Sequence, residues 1–176
     1  TGVRIGVFDL ERILSMLEER DGRVCVNFRA TEAVEGYLLA RFHMYKQVYL
    51  HKTSRAAERM LEALVRRARD LDVEGRYGFH WFPEGAMARL IRGQIAGGRD
   101  IACLDDADVW FVLKQWQHEA DPVLSTLAGG LVNRHLYKTI PLLETDDCDA
   151  LIDRAHAEAQ NLGLDVRYHV LEDSSA

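Results

Sequence analysis

The chain has 176 residues, of which 48% are hydrophobic and 28% charged, and its formal net charge is -6 at pH 7. This length suits one domain, or one domain with a small appendage, and the apolar content is enough for a core. No stretch approaches the ~20 apolar residues of a membrane-spanning helix, and the negative charge disfavours broad nonspecific binding to nucleic acid.

The cysteine pattern bears on the cellular compartment. Cys25, Cys103 and Cys148 lie far apart, and none belongs to a C-x-x-C pair. An odd number of separated cysteines favours reduced thiols. The chain also opens without a basic and apolar leader. We therefore expect a cytoplasmic protein that does not enter a membrane.

The first 30 residues predict a helix and a strand. Asp9 can cap a helix that we expect to run to about Arg20, where Gly22 breaks it. The following segment RVCVNF alternates like a short strand. Thr31 then offers a cap for the next element.

A single long helix is predicted from Thr31 to about Asp72, which is longer than most helices of globular proteins. At ~100° per residue, five polar or aromatic side chains fall within a wedge of ~80°. This stripe consists of Tyr37, Arg41, Tyr45, Lys52 and Arg55, and Tyr49 lies ~40° beyond Tyr45. Apolar residues at other angles predict packing on more than one side: Leu38, Leu39, Phe42, Met44, Val48 and Leu50.

The residue types of the stripe suit a phosphate ligand. Arginine offers a planar fork, lysine a point charge, and tyrosine a ring and a hydroxyl donor. The alternative for the same stripe is a solvated groove, or ion pairs with distant acids. Towards the end of the helix, Arg66, Arg67 and Arg69 are expected at its solvated end rather than in a nucleic-acid patch.

The middle of the chain predicts shorter helices. Gly75 and Gly78 end the long helix, and the aromatic run from Tyr77 to Phe82 predicts core packing at a helix junction. Pro83 suits the first position of a helix, and Gly97 with Gly98 marks a loop that lacks the P-loop pattern. The next helix is expected to start at Asp105, Asp106 and Asp108, and these acids favour helix capping over a cation site. A further helix is expected to start at Asp121 with Pro122 and to run to about Leu136.

Beyond Tyr137 the pattern changes. KTIPLL and VRYHVL look like strands, and DDCDALIDRAHAEAQNLG between them has an Asp-rich start, apolar spacing and a glycine stop. We therefore predict a small βαβ element at the C-terminus. The predicted organisation is a helical part over residues 1–137 and a truncated α+β appendage over residues 138–176.

The string ARFHMYKQVYLHKT, followed by an amphipathic helix, resembles the HD-superfamily phosphohydrolases related to deoxynucleoside triphosphate triphosphohydrolases. An R-x-x-x-[HY]-x-x-x-Y-x-H-K segment recurs there on a long helix. TGVRIGVFDLERIL resembles the segment after the family's last catalytic aspartate, DDADVWFVLKQW its next helix, and NRHLYKTI its [NR]-R-x-L-[FY]-K signature. The resemblance implies a mainly α fold, the C-terminal part of an HD-type helical domain with a long central helix.

The metal motif of that family is missing. HD enzymes bind metal through two separated histidines, a His-Asp pair and a further Asp, whereas this chain has no His-Asp dipeptide and no H-x-x-x-H pair among its seven histidines. We therefore expect no metal ligand and no catalytic residue here, and a divalent metal in the parent enzyme. Because Thr1 is not Met and relatives continue past the last residue, we expect the back portion of a larger enzyme.

Residue roles follow from the resemblance alone. Arg41 matches the phosphate-contacting arginine, Tyr49 the tyrosine beside the sugar, and Tyr45 a position where some relatives have His. These three are the expected substrate-binding residues. The expected contacts to a regulatory nucleotide, as in the animal dNTPase of this fold, are His51, Lys52, Arg29, Arg134 and Lys138.

The implied activity of the parent is hydrolysis of dNTPs to deoxynucleoside and triphosphate, with the nucleotide as substrate or effector. This piece alone is expected to be inactive, and to form a homo-oligomer through the long helix or the helix from Pro122 to Leu136. Two alternatives stay open. The chain could be a non-enzymatic helical regulatory or assembly module, or belong to an HD hydrolase that acts on another phosphate ester.

Overall fold

The computed structural model describes residues 7–75, 79–95, 97–142 and 147–173. The chain divides into two compact units, Thr1–Ser54 and Arg55–Ala176. The described residues are mainly helical, with one antiparallel pair of strands, and this confirms the predicted helical class. Among these residues no helix combines the length and the apolar character needed to cross a membrane.

The first unit begins with a short helix and a β-hairpin. In α1 (Leu10–Ser15) the Asp9 carboxylate accepts the backbone N–H of Arg12 at 2.9 Å, as predicted. The predicted extension of this helix to Arg20 is wrong, because β1 (Leu17–Arg20) pairs with β2 (Arg23–Val26). The strand predicted from RVCVNF is thus confirmed. Gly22 supplies the positive φ of +73° that the hairpin turn needs.

The predicted long helix is interrupted. A short 3₁₀ turn (Phe28–Ala30) leads into α2 (Thr31–Met44), and a π-helical turn (Tyr45–Tyr49) follows. The N–H of Leu50 closes the π-turn on the Tyr45 carbonyl at 2.8 Å. A new helix, α3 (Lys52–Glu74), then begins. One uninterrupted helix to Asp72 was therefore wrong, since the wider π-turn carries the chain out of the i to i+4 bonding pattern.

The second unit contains all of α3 from Arg55 onward, together with α4 (Gly85–Ile91), α5 (Gly98–Ala102), α6 (Asp106–Trp116) and α7 (Pro122–Val132). Its core is built from apolar faces of these helices and from Tyr168 near the end of the chain, and the largest fully buried side chains are Trp116, Tyr168, Met60, Leu64, Ile91, Leu124 and Leu127. Asp105 caps α6 and Asp121 caps α7, as predicted. Pro83 lies before α4 rather than at its first position.

The aromatic run before α4 packs as predicted, within its described part. Phe79 and Phe82 contact each other at 4.8 Å between ring centroids, and Trp81 packs edge-on against Phe111 at 5.2 Å. The buried carboxylate of Glu119 accepts the backbone N–H groups of His80 and Trp81. Tyr77 and Gly78 lie outside the described residues.

The C-terminal part differs from the prediction. α8 (Cys148–Asn161) forms where a helix was expected, with Asp147 as its cap. The strand predicted at VRYHVL is wrong, because Val166–His169 form the short helix α9, capped by Asp165. Residues 138–142, the described part of the other predicted strand, are irregular. α8 and α9 belong to the same compact unit as α4 to α7.

Candidate functional site

The stripe forms a ladder of side chains in the first unit. Tyr37, Arg41, Tyr45 and Tyr49 follow one another at intervals of four residues along α2 and the π-turn. The Arg41 Nη1 donates to the Tyr37 hydroxyl at 3.5 Å, and Nη2 donates to the Tyr45 hydroxyl at 3.4 Å. The guanidinium carbon of Arg41 lies 5.4 Å from the Tyr45 ring centroid, which is within the range of a cation–π contact.

The π-turn extends this ladder to Tyr49. In an α-helix a side chain four residues further on is rotated ~40° ahead, so two such steps already move the stripe around the helix. A π-turn holds more residues per turn, and the next step therefore does not advance in the same direction. The rings of Tyr45 and Tyr49 lie 5.0 Å apart. Both side chains are about half exposed, at 45% and 52%.

Arg41 keeps its positive charge without a carboxylate partner among the described residues. Its hydrogen bond to Tyr37 and the neighbouring Tyr45 hydroxyl raise the pKa of Arg41 above its ordinary value. Two neutral hydroxyls orient the guanidinium but do not cancel its charge. An exposed guanidinium held in this way is suited to a planar, anionic group such as phosphate or carboxylate.

Several other arginines among the described residues are paired with carboxylates. Arg55, which the sequence placed in the stripe, pairs in the second unit with Asp173 and with Glu58. Arg92 makes a two-point contact with Asp72 at 2.8 and 2.9 Å. Arg55 therefore forms ion pairs within the second unit, and the ladder in the first unit ends at Tyr49.

The residues expected to contact a regulatory nucleotide are divided between the two units. Arg29, His51 and Lys52 lie in the first unit, and Arg134 and Lys138 in the second. His51 uses Nδ1 to accept the backbone N–H of Thr53 at 3.2 Å, so its ring caps the start of α3. This cap could not be predicted from the sequence, since histidine is not among the residues that commonly take the position.

Arg29 lines an open cleft of about 590 Å³. Phe28, which is 78% exposed, lines it as well, as does Arg12, whose guanidinium donates to the Arg29 carbonyl at 3.2 Å. Two further lining residues, Glu32 and Glu35, bring carboxylates to the same cleft. The cleft thus offers a ring, two cations and two anions.

Arg134 has an unusual backbone. It adopts φ +59° directly after the Asn133 cap of α7. The N–H of His135 bonds to the Gly130 carbonyl at 2.8 Å and that of Arg134 to the Leu131 carbonyl at 3.4 Å, which is the Schellman pattern of a helix end. α7 therefore stops at Val132 and does not reach Leu136 as predicted. Lys138 follows in the irregular segment.

Within the described residues, no group of three or more His, Cys, Asp or Glu side chains is placed to hold a metal ion. The ladder, with its exposed guanidinium and rings, is suited to recognition of an anion beside an aromatic surface. Tyr37 belongs to the ladder although no role was assigned to it from the sequence. Its spacing of four residues from Arg41 was the signal.

The segment that contains the ladder matches a known protein family, and the chain resembles part of a solved structure. Residues 8–75 match the family described as the HD associated region, and this segment contains the whole ladder. A crystal structure of a phosphohydrolase from Bacteroides thetaiotaomicron matches 96% of this chain and 44% of its own, with a TM-score of 0.80 and 33% identity. The described chain thus has the fold of one part of that phosphohydrolase.

Sequence relatives are longer proteins. The YwfO protein of Bacillus subtilis is 31% identical over 176 residues, which are 100% of this chain and 40% of the relative. The MG461 protein of Mycoplasma genitalium is 24% identical over 143 residues, or 34% of its length. The MJ1154 protein of Methanocaldococcus jannaschii is 38% identical over 69 residues, or 15% of its length. The chain spans less than half of each of these relatives.

Proposed function

We propose that this chain is the part of an HD-superfamily phosphohydrolase that contacts the phosphates and sugar of a deoxynucleoside triphosphate. The parent enzyme hydrolyses dNTPs to deoxynucleoside and triphosphate. Arg41 binds phosphate, Tyr49 packs beside the sugar, and Tyr45 lies between them. The chain also supplies an assembly surface to a cytoplasmic homo-oligomer.

One observation carries the proposal. Arg41 is exposed, oriented by two hydroxyls and paired with no carboxylate among the described residues, in a segment that matches the HD associated region. The phosphohydrolase with the same fold supports a phosphate-containing substrate. The tyrosine rings next to Arg41 are suited to pack on the sugar or base that a nucleotide adds to its phosphates.

The divalent cation of the parent enzyme is assigned to residues other than those described here. In enzymes of the proposed class a divalent cation activates the water that attacks the phosphorus. The side chains described here do not fit such a cation. We therefore assign the cation and all catalytic residues to another part of the parent, and nucleotide recognition to this chain.

The regulatory role is the second part of the proposal. Arg29, with its cleft beside Phe28, together with His51, Lys52, Arg134 and Lys138, contacts an activating nucleotide. The cleft supports this for Arg29, because an exposed ring next to guanidinium groups suits a nucleotide. His51 has Nε2 left for a ligand while Nδ1 caps α3.

The test is product analysis with the longer parent protein. Each dNTP is incubated with the protein and Mg²⁺ or Mn²⁺, and the products are separated by anion exchange. We expect deoxynucleoside and inorganic triphosphate in equal amounts. Release of pyrophosphate or orthophosphate instead, or no turnover of any dNTP, would overturn the proposal. Turnover of another phosphate ester alone would replace it with the second type of HD hydrolase.

A further inference from the structure

The Tyr37 ring packs against an aromatic residue from the start of the chain. It lies edge-on against Phe8, with 5.2 Å between ring centroids and an interplanar angle of 71°. Phe8 lies directly before α1 and is half-buried, whereas Tyr37 is 37% exposed. Phe8 therefore packs against one edge of the Tyr37 ring, and the Tyr37 hydroxyl accepts a hydrogen bond from the Arg41 guanidinium.

Arg41 is held at two points. Tyr37, one turn before it, accepts from Nη1, and Tyr45, one turn after it, accepts from Nη2. Among the described residues these two hydroxyls are the acceptors that the guanidinium has. Because they bind two different nitrogens, they restrict the direction in which the guanidinium plane faces. An arginine without such contacts keeps many rotamers and loses that freedom when it binds a ligand.

We infer that Tyr37 is a positioning residue, which holds the Arg41 guanidinium in the orientation that binds the substrate phosphate. The inference rests on the proposed function, since it gives Tyr37 a role only through Arg41. Tyr45 lies beside the guanidinium and Tyr49 next to Tyr45, and both rings are exposed enough to reach the ligand. Tyr37 lies at the opposite end of the ladder, where Phe8 packs against it.

The chemistry explains why a tyrosine is suitable here. A carboxylate at residue 37 would also orient Arg41, but it would neutralise the charge and compete with phosphate for the same fork. A phenylalanine would keep the contact with Phe8 but lose the acceptor. A phenol combines an apolar ring that packs with a hydroxyl that accepts and leaves the charge intact.

Binding of inorganic triphosphate to the 176-residue chain tests the inference. Isothermal titration at low salt compares the wild type with Tyr37→Phe, Arg41→Ala and the double variant, and thermal melting checks each fold. Loss of one hydrogen bond predicts roughly two- to tenfold weaker binding for Tyr37→Phe. We expect a larger loss for Arg41→Ala, and no further loss when Tyr37→Phe is added to it, because Tyr37 acts through Arg41.

The outcomes distinguish a failure of the proposed function from a failure of the role of Tyr37. No binding by the wild type, or unchanged binding by Arg41→Ala, would overturn the proposed function. Weaker binding by Arg41→Ala together with wild-type binding by Tyr37→Phe would overturn the role of Tyr37 alone. So would an equal effect of Tyr37→Phe with and without Arg41, since the hydroxyl would then act on the ligand directly.

Discussion

Arg67 and Asp121 form a two-point ion pair that joins α3 to α7 in the second unit. The Arg67 Nε lies 3.2 Å from Asp121 Oδ1, and Nη2 lies 2.6 Å from Oδ2. Asp121 is only 5% exposed, and it also accepts the backbone N–H of Leu124 at 2.8 Å as the cap of α7. Arg67, expected at a solvated helix end, therefore serves the core of this unit.

Removal of the Asp121 carboxylate should destabilise the fold strongly. Asp121→Ala leaves the Arg67 guanidinium partly buried without its partner and removes the cap, and breaking such a pair costs about 3–5 kcal/mol of unfolding free energy. Urea unfolding measures the change. Asp121→Asn keeps a cap acceptor and should lose less. A loss below ~1 kcal/mol for Asp121→Ala would show that the pair adds little.

The same pair predicts a response to acid. Burial alone would raise the pKa of Asp121, but hydrogen bonds from Arg67 and from the backbone of Leu124 outweigh it and leave the pKa below its ordinary value. The contribution to stability is complete above the unfolded pKa near ~4 and is lost as the pH falls through the lower folded pKa. Melting temperatures of the wild type and Asp121→Asn should therefore converge below about pH 4. A constant difference from pH 7 to pH 2 would contradict this.

His169 predicts a second loss of stability in acid. Here protonation creates a charge on a half-buried side chain instead of removing one. The Tyr137 hydroxyl lies 2.7 Å from His169 Nδ1, and a neutral ring can accept a hydrogen bond from it. Burial lowers the pKa of His169 and raises the pKa of Tyr137 to about 12. Because the folded state resists protonation of His169, stability should fall as the pH drops below the unfolded pKa of ~6.5. His169→Gln should lose less stability between pH 7 and pH 5, as measured by urea unfolding at both values.

Arg134 should be replaceable by glycine with a gain in stability. Its φ of +59° is strained for a residue with a Cβ, at a position where glycine is the usual choice. Relief of this strain predicts an increase of roughly 1 kcal/mol in the free energy of unfolding for Arg134→Gly. Arg134→Ala keeps the strain and should not gain. If Arg134 contacts the regulatory nucleotide, both variants of the parent enzyme should lose activation by added nucleotide, whatever their stability.

Local chemistry made the helix starts predictable. Asp9, Asp105, Asp121 and Asp147 each accept a backbone N–H at a helix N-terminus, and each lies where the sequence placed a start. The side chain and the amide that it satisfies are within three residues of one another, so tertiary structure is not required. Gly75, with φ +58°, ended α3 for an equally local reason.

The errors arose where the pattern of polar and apolar residues does not decide the local structure. The polar repeat runs unbroken through Tyr45–Tyr49, and periodicity alone does not distinguish an α-turn from a π-turn. VRYHVL alternates like a strand, but Tyr168 is fully buried and its hydroxyl bonds to Asp70, 98 residues earlier. The ladder was partly predictable, since spacing of four residues brings Arg41 and Tyr45 together in either type of helix.

Self-association is expected through α2. Leu38, Leu39 and Phe42 are 56–58% exposed, although the sequence predicted packing on more than one side of this helix. α7, the other expected surface, buries Leu124 and Leu127 in the core, so α2 is the better candidate. Exposed apolar side chains that lie together normally find a partner. Sedimentation should show a homo-oligomer that Phe42→Glu weakens, and a strict monomer at high concentration would contradict the expectation.

Substitution of Arg41 should impair catalysis by the parent enzyme. If its guanidinium binds substrate phosphate, Arg41→Ala should lower kcat/KM for a dNTP roughly ten- to a hundredfold, because a hydrogen bond assisted by charge is lost. Arg41→Lys should recover little, since a point charge replaces the fork that the two tyrosine hydroxyls orient. The matched control is Arg154→Ala, which removes an exposed arginine of α8.

Steady-state kinetics, with thermal melting of each variant, distinguishes this role from a structural one. Arg41 is exposed and bonds only to hydroxyls within the described chain, so its loss should leave the melting temperature close to that of the wild type. A folded Arg41→Ala enzyme with wild-type efficiency would refute the phosphate contact. An equal loss in Arg154→Ala would assign the effect to general surface charge, because that side chain is outside the ladder. Loss in Arg41→Ala alone, with an unchanged melting temperature, is the result that the ladder predicts.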